Sequence, residues 1–395
     1  EKGKNMSNTR LNAFEEYQKM VDSIFGNDII NVDKTKFGNN IIGTWSHKNE
    51  FNDFKQNFSD RLKRLQAIYK DADNITVIHN LVKNIGDNKN WEGIYAELVA
   101  YDVMHTEYNA EVKLDVSQNA TFALAEKLGK RNVNYDIHMF EDYDVYLDIK
   151  AFTDTVGDIL KHSVIDAITN LNAFKKYRID VLPEYPYDDD DEDYKKNISP
   201  LREELRNALN DALEHNKLKH SFNSKVVPRL SFRILIDEGV NSTISEYDPY
   251  RRAEQLKDMI IKRYCNKLPY DKPFFLVFVN FPWFNQRDRN AFSDCNKVLY
   301  RSISRRTFMQ YEHSETLIRD INPKYISDES AKFAARKLTG MVFIDDLSIK
   351  KSSQNIYVYL NPNADNKQER LHTYFHELLR KSEFGYYDDF LHDNY

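Results

Sequence analysis

Tyr135-Asp136-Ile137-His138-Met139-Phe140, followed after Glu141-Asp142-Tyr143-Asp144 by Val145-Tyr146-Leu147-Asp148-Ile149-Lys150-Ala151-Phe152, is the stretch that decides the fold. Apolar and polar residues alternate with period two. Tyr135, Ile137 and Met139 stand against Asp136, His138 and Phe140, then Val145, Leu147, Ile149 and Ala151 against Tyr146, Asp148 and Lys150, the pattern of two strands. The acidic turn Glu141-Asp142-Tyr143 separates them, so they read as a hairpin. Pairing centred on Asp142 sets Asp136 opposite Asp148. Like charges directly opposite on a ladder destabilise it. The pair therefore makes best sense with a cation between the carboxylates and Lys150 two residues on along the same face. The hairpin reads as a metal site.

Upstream, a helix opening near Trp91 carries Trp91, Ile94, Tyr95, Leu98 and Val99 as its apolar stripe. Gly93, Glu97 and Ala100 form a sterically small stripe beside it, which would let a sheet approach Glu97. Residues 111–116 read as a strand and 121–127 as a short helix or loop. Downstream, 156–176 reads as a helix whose end carries Lys175, Lys176 and Arg178, where cations suit the helix dipole. Residues 229–237 and 273–280 read as strands separated by a helix over 250–264. The unbroken apolar run of the second strand predicts a sheet covered on both faces, hence an α/β core.

Helical spacing recurs over 11–25, 51–69 and 75–85, so residues 1–90 read as a helical cap, with Lys36 to Thr44 a Gly- and Asn-rich break. Glu1 to Asn5, ahead of Met6, carry no weight. The run Asp188 to Asp193 lies in an acidic insertion, about 183–220, and reads as a solvated loop. A helix over 296–311, a strand pair over 340–345 and 355–360, and a last helix over 371–380 complete a carboxy-terminal extension, 291–395.

With 41% hydrophobic and 13% aromatic residues the 395-residue chain is no disordered protein. Cys265 and Cys295 are too few for a disulfide framework or a four-thiolate zinc site. A net charge of -6 leaves no global basic footprint, so a polyanion must be held by a local patch or a metal. No apolar run approaches the roughly 20 residues that span a bilayer, and the start lacks a secretory signal's apolar core, so a cytoplasmic protein without a membrane partner is expected.

Glu97 on a helix, Asp136 opening a hairpin and Asp148-Ile149-Lys150 on its return strand resemble the PD-(D/E)XK nuclease superfamily. The order helix, strand, hairpin, helix, strand agrees over roughly residues 91–280. Two positions depart from the family pattern: Tyr135 replaces the usual Pro, and the second acid is Asp where Glu is common. The resemblance implies a restriction-endonuclease-like mixed β-sheet flanked by helices, occupying 91–290. It also implies an Mg²⁺-dependent endonuclease, with Mn²⁺ as a substitute, that hydrolyses phosphodiester bonds of nucleic acid, DNA before RNA. Asp136, Asp148 and the Ile149 carbonyl would ligate the ion, because Mg²⁺ takes hard oxygen ligands and keeps several waters. Glu97 would complete the shell directly or through water. Lys150 would orient or help deprotonate the attacking water and offset charge on the phosphate. Restriction or phage defence, a partner subunit and a homo-oligomer are further expectations.

Other readings stay open. Asp148 and Lys150 could be a solvated pair on an exposed strand face, and Glu97 a surface residue beside Glu92 and Asp102. A non-catalytic nucleic-acid-binding or protein-interaction module, or an enzyme of a small phosphate ester, are the rivals. His138 is read as a neighbour of Asp136. His372 and His376 lie on one helical face, but Glu377 follows the second His, which is not the zinc-protease order, so they read as a surface pair. Arg301, Arg305 and Arg306 with Tyr300, Phe308 and Tyr311 form the best basic and aromatic cluster for nucleic acid, and a solvated helix with an aromatic core stripe explains them equally.

Overall fold

Phe274–Asn280, buried along its whole length, is the middle strand of a seven-stranded mixed sheet. The computed structural model describes residues 2–26, 52–85, 91–105, 111–128, 130–140, 143–152, 177–182, 197–215, 217–228, 230–236, 243–244, 249–281, 293–325, 328–348, 354–382, 384–388 and 390. In chain order the helices are α1 (Lys2–Phe25), α2 (Asn52–Ile68), α3 (Ala72–Asn84), α4 (Trp91–Met104), α5 (Ile198–Glu214), α6 (Pro249–Tyr264), α7 (Ser293–Met309), α8 (Ile318–Ile321), α9 (Ala331–Lys337) and α10 (Glu369–Arg380). The strands are β1 (Val112–Asn119), β2 (Asn132–Met139), β3 (Val145–Ala151), β4 (Tyr177–Leu182), β5 (Lys219–Asn223), β6 (Ser231–Ile236), β7 (Thr243–Ile244), β8 (Phe274–Asn280), β9 (Gly340–Asp346), β10 (Gln354–Leu360) and β11 (Phe384–Asp388).

The chain forms two compact units, residues 1–152 with 257–395, and residues 153–256. The first is mixed α/β. Its sheet runs β1-β2-β3-β8-β9-β10-β11, antiparallel from β1 to β3, parallel from β3 through β8 to β9, antiparallel to β10 and parallel to β11. Consecutive side chains alternate faces. One face, with Leu147, Ile149, Phe275, Val277, Val342 and Val358, shares a single apolar core with α1 to α4 and α10. The other carries Phe278 and Phe343, and Tyr300 of α7 stacks on Phe343 at 4.3 Å. Covering both faces is what permits unbroken apolar strands. Gly340 is required by close approach, since a Cβ there would lie 2.8 Å from the Tyr359 carbonyl oxygen.

In the second unit a sheet ordered β5-β6-β4-β7 packs α5 on β6, and Leu201, Leu205 and Leu209 are sealed with Phe232 and Ile234.

Several boundaries differ from those read in the sequence. The strands expected at 229–237 and 273–280 do not share a sheet: β6 pairs antiparallel with β4 and with β5, its near neighbour in sequence, whereas β8 lies between β3 and β9. A strand, helix, strand pattern carries no information about which sheet each strand joins. Residues 291–395 are not an appended extension, because β9, β10 and β11 belong to the main sheet. The helices of residues 1–90 likewise share the core of the first unit. The helix read over 156–176, the Lys36 to Thr44 break and the Asp188 to Asp193 run lie outside the described residues.

Candidate active site

The hairpin keeps its expected register: Met139↔Val145, His138↔Tyr146 and Ile137↔Leu147 are paired. The ladder stops one step before Asp136 and Asp148. There the Asp136 side chain takes over, its Oδ2 accepting the Ile149 N–H at 2.5 Å. Asp115, between the pairs Leu114↔Ile137 and Val116↔Tyr135 of the neighbouring ladder, has φ of 52°, a conformation that Asp tolerates better than most residues. Strict alternation therefore breaks at Asp136. Ile137 belongs to the core shared with α4, but Tyr135 packs on Tyr146 at 4.8 Å and Phe274 at 5.8 Å, on the opposite face. The single face expected for Tyr135, Ile137 and Met139 is not formed, because the irregular backbone around Asp136 frees its carboxylate to reach β3.

An ammonium of the protein lies between the two acids, where the sequence reading expects a metal ion. Lys150 Nζ lies 2.7 Å from Asp148 Oδ2 and 3.6 Å from Asp136 Oδ2, and it donates to the Ile149 carbonyl at 2.7 Å. Its ammonium also sits 5.9 Å above the Tyr264 ring. Asp148 Oδ2 is fully buried and has this ammonium as its partner. Asp148 is 0% exposed, which removes the reading of a solvated pair on an open strand face. Lys267, from the 3-10 turn Cys265–Lys267 after α6, closes on its other oxygen, Oδ1.

Glu97 comes from α4, which packs on β3 and β8. This helix is buried nearly all round, not along one stripe. Ala96 and Ala100 are sealed, as a close sheet requires, whereas a Cβ on Gly93 would meet nothing within 4 Å among the described residues. Tyr101, one turn beyond Glu97 on the same helical face, donates from its hydroxyl to the Asp136 carbonyl at 3.3 Å. This brings Glu97 beside Asp136. Burial first, and then the charge of Asp136, push its carboxyl up to about 8, with Lys150 opposing and Asp115 and Asp148 adding to the rise. Asp136 is raised too, by burial and then by Asp148, against Lys150 and Lys267. Burial alone would lower Lys150, but Asp148 and Asp136 outweigh it and hold the ammonium above the usual lysine range.

Glu97, Asp136, Asp148, Ile149 and Lys150 are thus one cluster. Among the described residues no three His, Cys, Asp or Glu side chains converge closely enough to hold one ion. A hard cation would rest on two carboxylates and the Ile149 carbonyl, a donor set that Mg²⁺ accepts with water completing its octahedron. The convergence of those oxygens on one ammonium fits that role.

The remaining candidates lie elsewhere. His138 stacks on Tyr146 at 4.1 Å and bonds Asp144 at 3.1 Å, so its ring is committed away from Asp136. Arg301 donates to Asp388 at 2.7 Å, and Arg305 and Arg306 are half-buried on α7. Tyr300, Phe308 and Tyr311 are buried, as the core-stripe reading of that helix has it. His372 and His376 are exposed, and His372 bonds the Tyr387 hydroxyl.

Sequence reasoning missed Lys267, Asp115, Tyr101 and Tyr264. Asp115 had a weak signal, lying on the polar positions of an expected strand. Lys267, 119 residues from Asp148, had none. No protein-family model, curated protein or solved structure matches the chain.

Proposed function

We propose that the chain is a divalent-metal-dependent nuclease of the PD-(D/E)XK kind, with a restriction-endonuclease-like core, hydrolysing phosphodiester bonds of nucleic acid, DNA before RNA. One observation carries the reading: oxygens of Asp136, Asp148 and Ile149 surround a single cationic point at the edge of a hairpin, with Glu97 alongside. Asp136, Asp148 and the Ile149 carbonyl would hold the ion, and Glu97 would reach it through water. A divalent ion bound there supplies positive charge to the oxygens of the reacting phosphate.

The chain's own groups do the rest. Lys150, displaced from its oxygens, offers its ammonium to the phosphate and stabilises the charge that builds up there. In the metal-free protein Asp148 and Asp136 hold it protonated, and over the phosphate it would act by charge and by orienting water. In the metal-free protein burial, and then Asp136, push the Glu97 carboxyl up to about 8, so in that state it can exchange a proton with water near neutrality. The Ile149 N–H fixes the Asp136 carboxylate.

The test is cleavage of plasmid DNA and of RNA with Mg²⁺ or Mn²⁺ by the wild-type chain, Lys150→Ala and Asp148→Ala, each checked for folding by circular dichroism. Cleavage by the wild type alone is expected. Equal cleavage by all three points to a contaminant and removes the assignment. A second reading, a non-catalytic nucleic-acid-binding module, is favoured by the two lysines that already neutralise the acids and by the lack of a third converging carboxylate among the described residues. Retained nucleic-acid binding with no cleavage under either metal would select it.

A further inference from the structure

Asp148 is sealed from solvent, and a buried carboxylate requires compensation at both oxygens. Lys150 supplies one partner from the same strand. The other, Lys267, arrives on a turn that the surrounding structure fixes. The Tyr135 hydroxyl donates to the Lys267 carbonyl at 2.8 Å, the Leu124 N–H donates to the Leu268 carbonyl at 3.1 Å, and the Leu268 N–H donates to the Cys265 carbonyl at 3.3 Å. Tyr135 directly precedes Asp136. The residue adjoining one candidate ligand therefore buttresses the turn that carries a cation to the other. The Lys267 side chain is 22% exposed, so its ammonium reaches a buried acid from a position still open to solvent.

Resting on the nuclease reading above, we propose that Lys267 is a second amine of the site, a tethered counter-ion that neutralises Asp148 in the metal-free protein. It yields that oxygen to a divalent ion and turns to the phosphate that arrives with it. The charges favour this coupling. Asp136 and Asp148 balance Lys150 and Lys267, so an ion bound alone adds two positive charges that Glu97 and Asp115 beside the site offset only in part. A phosphate diester bound beside the ion reduces the excess. Ion and nucleic acid thereby favour each other's binding, and the coupling is reciprocal. Without the Lys267 ammonium, Asp148 Oδ1 is released and the ion loses its competitor. Lys267→Met is expected to bind a divalent ion more tightly while cleaving more slowly, an opposition that a merely structural lysine would not produce.

The test is calorimetric titration of Ca²⁺, a hard oxygen-seeking probe, into the full chain as wild type, Lys267→Met and Lys267→Arg, without nucleic acid. Melting temperatures are recorded beside each titration. Lys267→Met is expected to tighten Ca²⁺ on the order of tenfold, the effect of removing one close positive charge, while Lys267→Arg stays within about threefold of the wild type. If Lys267→Met does not fold, Tyr135→Phe carries the test, since it keeps the ammonium but loosens its turn and should tighten Ca²⁺ by a smaller factor. Binding by the wild type that a folded Lys267→Met leaves unchanged or weakens overturns the role of Lys267 and spares the nuclease reading. Absence of millimolar Ca²⁺ binding in every chain overturns the cation site itself and both inferences with it.

Discussion

Asp136 and Ile149 are joined across the hairpin by a side-chain hydrogen bond, Ile149 N–H to Asp136 Oδ2 at 2.5 Å, one step past the last ladder pair, Ile137↔Leu147. The carboxylate does the work of a strand backbone and still faces Lys150. Asp136→Ala strands a half-buried N–H and should cost about 1–3 kcal/mol in urea unfolding. Asp136→Asn retains an acceptor oxygen and should cost less. Equal losses from the two variants would show that the bond contributes nothing.

Lys150→Met keeps the length of the side chain and removes its charge. Cleavage should fall by a factor of roughly 10² to 10⁴, with little change in nucleic-acid affinity, because the ammonium serves the developing charge more than the bound state. Single-turnover rates beside filter binding separate the two, and a loss confined to affinity contradicts the assigned role.

Burial, then Asp136, push Glu97 up to about 8, against about 4.3 in an unfolded chain. Between those values the folded state holds a proton that the unfolded state has released, so Glu97 lowers stability progressively as pH rises through the window. Glu97→Gln does not titrate. In chelator, its stability relative to wild type should increase from pH 4.5 to 8 by on the order of 2 kcal/mol and level off above. Parallel stability curves would contradict the raised Glu97 carboxyl.

Arg61, 3% exposed, donates to Asp102 at 3.1 Å, the Tyr95 hydroxyl at 3.0 Å and Asp346 at 3.0 Å. Asp346 is 0% exposed, and Tyr95 also bonds it at 2.8 Å. One guanidinium therefore joins α2, α4 and the end of β9. Arg61→Met leaves Asp346 buried without this cation and should cost about 3–5 kcal/mol. Denaturant midpoints check this, and a loss under about 1 kcal/mol would place the network among dispensable ion pairs.

Local pattern made the hairpin legible, because turn and strand alternation both act within the 18 residues from Tyr135 to Phe152. The same is true of β8, whose apolar run admits no exposed face. Long-range choices were not legible. The partner sheet of β6 depended on antiparallel neighbours that were themselves unread, β4 and β5. Asp148, Lys150 and Asp136 could be brought together by register arithmetic, and Glu97 by its small neighbours. Lys267 could not, since nothing in a short turn after a helix says which distant acid it will meet. The reversal at Tyr135 was equally hidden, because a period-two pattern has no symbol for a side chain that replaces a backbone bond.

Residues 153–256 stand between the two stretches that compose the first unit, and β3 finds its parallel neighbour β8 only beyond them. On a ribosome, the hairpin emerges long before Lys267 or β8 does. The nascent chain displays an unfinished sheet edge and an acid without its second amine until residues 153–256 and the turn beyond them have been made. A chain truncated within residues 153–256 thus holds the hairpin acids but lacks both β8 and the Lys267 ammonium that meets Asp148.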